Sequence, residues 1–256
     1  MQLVDTHAHI NMNQFDGDRS HVVQRAAEAN VQYILDIGTD LESSRRCLKN
    51  CETFESVYGV VGIHPHDAAK MDQGDLEEIE KMLSHPKVAG LGEMGLDYHY
   101  DFSPRDMQKD LFYRQLKTAR KYGLPAVIHV REAMNDAIDV IDQAGDPPWS
   151  GVFHCFSGTE DDVKEVIDRG FFISFTGIVT FKNYKQTGRV KAVPVRKLLL
   201  ETDSPYMTPE PNRGKRNEPV YLIETAKKLA ELYQISTEEL SSITTKNAVQ
   251  LFRLGC

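Results

Sequence analysis

Eight short apolar runs alternate with longer segments of helical period along this chain, and histidines or acidic residues stand where five of those runs end. The runs cover residues 3–6, 33–37, 57–63, 88–91, 126–128, 152–153, 171–174 and 198–200. Between them, residues 105–122 carry Met107, Leu111, Leu116 and Ala119 at helical spacing. Residues 218–233 do the same with Leu222, Ile223, Ala226, Leu229, Ala230 and Tyr233. Gly123 and Gly170 stand where a helix should stop before the next strand. Ser236 followed by Glu239 reads as a capping box that opens one further C-terminal helix. This alternation predicts an α/β chain, a (β/α)8 TIM barrel in one domain over residues 1–256 with an extra C-terminal helix. The competing arrangement is an open, doubly wound sheet, which would keep the first and last strands apart.

The 256 residues suffice for one large core. A formal charge of −8 argues against a surface built to hold long duplex DNA, though not against a pocket for one strand end. The N-terminus runs straight into MQLVDTHAHI, without the basic and apolar regions of a signal peptide. No apolar run approaches the roughly 18 residues of a membrane span. The expected location is therefore cytoplasmic, with no membrane and no obligate protein partner. Cys47, Cys51, Cys155 and Cys256 fit reduced thiols in that compartment. The four-residue spacing of Cys47 and Cys51 could hold a metal, but no matching second pair follows.

The chemistry lies at the strand ends. His7 and His9 are two apart on a strand, so both imidazoles should face the barrel axis, with Asp5 one step deeper. Glu93 follows the fourth run, His129 the fifth, His154 the sixth and Asp203 the eighth. The C-terminal ends of barrel strands build active sites. Imidazoles and carboxylates in such a set bind divalent ions such as Zn2+, Mn2+ or Mg2+. Six candidates exceed what one tetrahedral ion needs, so two ions are expected. His7, His9 and Asp203 would hold one and His129 and His154 the other, with Glu93 between them. Asp203 is also placed to orient or deprotonate a water, and its pKa should be low. Glu201, two residues earlier on the same face, reads as a support to these ligands.

His64 ends the third run and should face the same mouth, as a metal ligand, a phosphate contact or a structural histidine. His66 reads as supportive, His21 and His85 as surface residues, and the direction of His99 is open. After the eighth run, Arg213, Lys215 and Arg216 precede Asn217, which resembles a helix N-cap with Pro219 in the first turn. A phosphate site beside the last strands would suit that loop, chiefly through Arg213. Tyr98, Tyr100, Phe102, Phe181, Tyr184 and Tyr206 crowd the predicted loops, where loop packing and base stacking both have use for aromatics.

The stretches VDTHAHI, GIHPHDA, GLGEMGLDYHY, PAVIHVREA, FHCFSGT, ETDSPYMTP, RGKRNEP and KNAVQLF, running from residue 4 to residue 252, resemble the TatD family of metal-dependent deoxyribonucleases in the amidohydrolase-like superfamily. The resemblance implies a TIM barrel with a two-metal site on His7, His9, Glu93, His129, His154 and Asp203. It associates His64 with substrate phosphate. It implies 3′→5′ exonuclease cleavage of DNA phosphodiesters and a role in DNA repair or degradation; the expected partner is DNA with single-stranded or frayed 3′ ends. Mg2+ or Mn2+ would support activity, with Zn2+ also a candidate occupant. The catalytic roles then fall on Asp203, Glu93 and His64, with His64 and Arg213 on the phosphate. One competing function is a binuclear amidohydrolase acting on an amide or ester. Many of these bridge their metals with a carboxylated lysine ending the fourth strand, where this chain has Glu93. The other is an inert, metal-dependent nucleic-acid-binding protein.

Overall fold

In the computed structural model, which describes residues 2–100 and 102–255 apart from the Gln73 side chain, eight parallel strands follow one another in chain order. They are β1 (Leu3–Ala8), β2 (Val31–Ile37), β3 (Val57–Val61), β4 (Val88–Asp97), β5 (Ala126–Arg131), β6 (Gly151–Phe153), β7 (Phe172–Phe175) and β8 (Leu198–Leu200). A parallel bridge between Ala8 and Ser204 brings the two ends of the sheet together. Asp203 N donates to His7 O and His9 N donates to Ser204 O, both at 2.8 Å. The arrangement is the expected nearly closed barrel, not an open sheet. Helices α1 (Arg19–Glu28), α2 (Leu41–Thr53), α3 (Gln73–Met82), α4 (Arg105–Tyr122), α5 (Met134–Ala144), α6 (Glu160–Asp168), α7 (Thr187–Ala192) and α8 (Leu222–Tyr233) alternate with the strands. The C-terminal helix is α9 (Thr237–Phe252). Among the described residues, no helix is long and apolar enough to cross a membrane.

Strand alternation divides the core into two clusters. Leu3, Ile34, Val57, Leu91, Ile128 and Phe153 pack with apolar residues of the surrounding helices. Val4, Leu35, Val60, Val127, Val152 and Leu199 point the other way and meet Ala248, Leu251 and Phe252. The last helix therefore closes the end of the barrel where the strands begin, leaving the opposite end for the site.

Local chemistry explains the departures from expectation. Strand β4 runs six residues past the expected end at Leu91, with Gly92 and Gly95 at positive φ. Between Leu91 and Met94 it gains one residue on β5, a bulge that re-aims Glu93. Strands β1 and β5 also extend further, so His7 and His129, like Glu93, lie within strands instead of at their ends. In α4, Leu111, Leu116 and Ala119 are buried as expected, but Met107 is exposed. Gly123 ends that helix in the left-handed region. Ser236 caps α9 by accepting from Glu239 N, one of the two bonds of a capping box. Residues 219–221 form a 3-10 turn before α8, and Asn217 caps no α-helix. Buried Asn217 instead donates to Thr202 O and Tyr206 O, holding together the loop that follows β8. Cys47 and Cys51 are buried, Cys47 donates to Asp36 O, and burial pushes the Cys51 thiol up to about 12. They are inert packing thiols. Cys256 lies outside the described residues.

Asp5 fastens β1 to the chain leaving β8. Its carboxylate accepts from Thr202 N at 2.9 Å, Thr202 Oγ1 at 2.6 Å and His7 N at 3.3 Å. Burial outweighs these bonds and raises its pKa from 3.8 to about 7. The unfolded chain therefore ionises first, and stability falls as pH climbs through that window. Asp5→Asn keeps an acceptor for Thr202 N and removes the ionisation. Urea unfolding of the metal-stripped protein should show the variant gaining on wild type by about 2–4 kcal/mol between about pH 4 and about pH 8. A constant difference across that range would refute the assignment.

Candidate metal centre

At the open end of the barrel, His9 and His129 are each held by one ring nitrogen and present the other, so their surroundings set which nitrogen faces the centre. His9 Nδ1 lies 2.9 Å from Ile37 O and must carry a proton, so Nε2 is the nitrogen that faces inward; despite burial, Asp203 and Glu93 raise the ring's pKa to about 9, and a cation bound there would replace the Nε2 proton. His129 Nε2 lies 3.2 Å from Asp97 Oδ2, leaving Nδ1 toward the centre. His154 turns Nδ1 toward Glu201 at 3.6 Å and Nε2 inward. His7 stacks on His154 with ring centroids 3.9 Å apart, its Nε2 aimed at the same space.

Glu93 stands among these rings, and its two oxygens divide them. Oε2 lies 3.3 Å from His7 Nε2 and 3.7 Å from His9 Nε2. Oε1 lies 2.8 Å from His154 Nε2, 3.0 Å from His129 Nδ1 and 3.5 Å from His64 Nε2. Burial alone would raise its pKa, but His154, His64 and His7 reverse that and hold it well below the carboxylate range. Asp203 Oδ1 lies 3.4 Å from His9 Nε2 and 3.9 Å from His7 Nε2. Burial opposes its ionisation too, yet the hydrogen bond donated by His9 and the surrounding imidazoles keep its pKa low. Asp203 adopts φ 55°, an uncommon backbone state for a non-glycine residue, where the chain turns sharply off β8.

Two groupings could hold an ion on this geometry: His7, His9 and Asp203, and His64, Glu93 and His129. The donor set fits, because lone pairs normally directed at hydrogens or cations crowd within hydrogen-bond range of one another. His7 Nε2 and His9 Nε2 are 3.2 Å apart, and His129 Nδ1 and His154 Nε2 are 3.1 Å apart. His7, His154 and Glu201 also approach one another. However, both Glu201 oxygens are taken at 2.6 Å, one by Cys155 N and the other by Ser174 Oγ. Its placement is that of a support.

His64 belongs to the second grouping by distance but not by hydrogen position. Its Nδ1 accepts from His66 N at 3.1 Å, and burial lowers its pKa to about 4. The ring is therefore neutral with the proton on Nε2, a donor toward the cleft and not a lone pair. The cleft encloses about 770 Å³, and His9, His64, Glu93, His129, His154 and Asp203 line it. Arg131 and Arg189 also reach its walls, with Tyr100, Tyr184 and Tyr206.

The expected phosphate loop is placed differently. Arg213 does not line the cleft. It donates to Thr208 O at 3.0 Å and lays its guanidinium 3.8 Å from the Phe181 ring. Arg216 pairs with Asp18 and Glu218, and Lys215 Nζ donates to Asn212 Oδ1. The basic run is consumed in loop structure. His21 is exposed, and exposed His99 Nδ1 contacts Glu132 at 2.8 Å without lining the cleft.

Asp97, absent from the sequence-derived set, is the chief addition. One buried oxygen meets both His66 Nε2 at 2.9 Å and His129 Nε2 at 3.2 Å, and the other accepts from His99 N and Tyr100 N. The signal was present: Glu93, Gly95 and Asp97 alternate on one face of a strand that continues past its glycines. Freeing His129 from this carboxylate should weaken divalent-ion binding about 10–100-fold. Chelator competition on Asp97→Ala measures this, and unchanged affinity would refute it.

The relatives agree with this chemistry. Residues 4–253 match the family model described as TatD related DNase. An uncharacterized metal-dependent hydrolase of Bacillus subtilis, YabD, is 43% identical over 99% of this chain and 100% of its own length. A Cronobacter turicensis protein named 3′-5′ ssDNA/RNA exonuclease TatD is 32% identical over 98% of this chain and 97% of its own. The crystal structure of YJJV, a TatD homologue from Escherichia coli, superposes with a TM-score of 0.92 at 30% identity, covering 98% of each chain. By fold, by sequence over nearly its whole length and by a histidine–carboxylate cluster that could bind metal, the chain belongs to the TatD family of metal-dependent hydrolases.

Proposed function

We propose that this hydrolase is a nuclease that removes nucleotides from single-stranded or frayed 3′ ends of DNA, with two divalent ions at its centre. The observation that carries the reading is the division of labour at Glu93, one oxygen toward His7 and His9 and the other toward His129 and His154. His7, His9 and Asp203 would hold one ion, His129 and His154 the other, and Glu93 both. Bound there, Mg2+ or Mn2+, with Zn2+ as another occupant, would supply Lewis acidity that lowers the pKa of water and offsets charge on a phosphoryl oxygen.

The chain's own residues do the rest. Ionised Asp203 accepts a proton from the attacking water and fixes its direction. His64 donates its Nε2 proton to a non-bridging phosphate oxygen, a contact that strengthens as negative charge builds there. Asp97 and Glu201 keep His129 and His154 from rotating. Arg213 could join the phosphate contacts only by leaving Phe181, so His64 is the main one. The reading also draws support from the name of the Cronobacter relative.

The test is an assay of metal-stripped protein re-supplied with each ion in turn. Its substrates are 3′-labelled single-stranded DNA, the matching RNA and a panel of amides and esters. Stepwise shortening from the 3′ end with Mg2+ or Mn2+ is the expected result. Turnover of an amide without oligonucleotide cleavage would replace this reading with the amidohydrolase one. Binding without cleavage under every ion would leave a nucleic-acid-binding protein.

A further inference from the structure

Beside the centre, on the loop that follows β4, lies an aromatic surface that the hydrolytic chemistry does not use. Tyr100 and Phe102 stack with ring centroids 5.2 Å apart and planes 4° apart. His66 braces both rings edge-on, at 5.5 Å and 4.9 Å. Even so, Tyr100 remains 42% and Phe102 60% exposed. Pairs of large aromatics turned to solvent are costly to leave open in water and mark binding surfaces when they lie beside a cleft. Arg131 extends from the end of β5 along the same wall and places its guanidinium 5.0 Å from the Tyr100 ring centre.

The surface is also fixed in register with the centre. Asp97 accepts from Tyr100 N through one oxygen and contacts His129 Nε2 through the other. The loop carrying the stack and the histidine facing Glu93 thus share one buried carboxylate. A free aromatic face and a cation, held rigidly next to the hydrolytic centre, fit one kind of occupant: an anionic polymer with planar groups between its charges.

Resting on the nuclease reading above, we infer that Tyr100, Phe102 and Arg131 form a nucleotide subsite. A base stacks on the open face of Phe102, and the phosphate on its centre-facing side meets Arg131. Stacking is indifferent to base identity, so this subsite would hold the strand without imposing a sequence. It also requires an unpaired base, which selects single-stranded ends over intact duplex.

The experiment uses the metal-loaded protein and 3′-labelled single-stranded oligonucleotides, intact or with one abasic position scanned along the last few nucleotides. For wild type, one abasic position should raise KM about 10-fold with kcat little changed. Phe102→Ala should raise KM for the intact strand by a similar factor and lose discrimination at that position, while Phe102→Trp restores both. Arg131→Gln should reduce the slope of log(kcat/KM) against log[salt] by about one phosphate contact. Cleavage by wild type with Phe102→Ala still sensing the abasic position, or with Arg131→Gln leaving the salt slope unchanged, would overturn the subsite and leave the nuclease reading standing. Wild type that neither binds nor cleaves any oligonucleotide would remove both.

Discussion

Glu93→Ala is expected to abolish hydrolysis, lowering kcat/KM by at least about 10³-fold, while the barrel remains folded. Five imidazoles converge on this carboxylate, at 2.8–3.7 Å. Without it, no anion links the His7–His9 side to the His129–His154 side. Loss of one or both ions should therefore accompany loss of activity, and metal analysis of the purified variant reads it directly. Glu93→Gln retains the volume and one acceptor oxygen but not the charge, so it should keep part of the metal and little of the rate. The backbone has little reason to move, because the bond from Glu93 N to Gly38 O does not involve the side chain. Far-ultraviolet circular dichroism should match wild type. His85→Ala is the matched control: that ring precedes β4 at the other end of the barrel, 3.9 Å from the exposed Glu52 carboxylate. It should stay within about twofold of wild-type activity, as surface changes usually do. Activity in Glu93→Ala comparable to that control would refute the shared-ligand role.

How much of this centre was legible depended on whether the information was periodic. His7, His9, His129, His154 and Asp203 could be placed from sequence because short apolar runs between helical segments announce buried strands, and a barrel has one functional end. The bulge in β4 was not legible in the same way. Gly92 interrupts the apolar run, so the pattern alone stops at Leu91, whereas the strand continues to Asp97 on the same face as Glu93. The phosphate loop failed for a different reason. A basic run in sequence carries no record of what neutralises it. Arg216 found Asp18, which lies 198 residues earlier, and Arg213 found the Phe181 ring. Asn217 looked like a helix cap by composition, but two carbonyls left without donors in the loop after β8 claimed its amide. Tautomers were equally out of reach, since the proton on His64 Nε2 is dictated by the amide of His66 and not by its neighbours in the pattern.

Asp203→Asn is the sharper test of mechanism, because it removes a base while leaving a near-isosteric side chain. Asparagine tolerates the left-handed backbone that Asp203 adopts. The bond from the residue 203 amide to His7 O, which helps join the two edges of the sheet, is unaffected. Fold and ground-state binding should therefore survive, with melting temperature and KM near wild type. What disappears is a carboxylate that His9 and His7 keep ionised well below neutral pH. That group can accept a proton from water, whereas a neutral amide cannot. A fall in kcat of about 10²–10⁴-fold is expected, with metal content reduced far less than in Glu93→Ala. The sign of the pH effect follows from the same assignment. In wild type the base is available above its depressed pKa, so activity should hold toward acidic pH until Asp203 or a metal ligand protonates. In the variant, residual hydrolysis should rise with pH, as hydroxide replaces the missing base. A variant with wild-type kcat, or one whose loss lies entirely in KM, would move Asp203 from proton acceptor to substrate binding and leave the nucleophile's base to be sought elsewhere in the cleft.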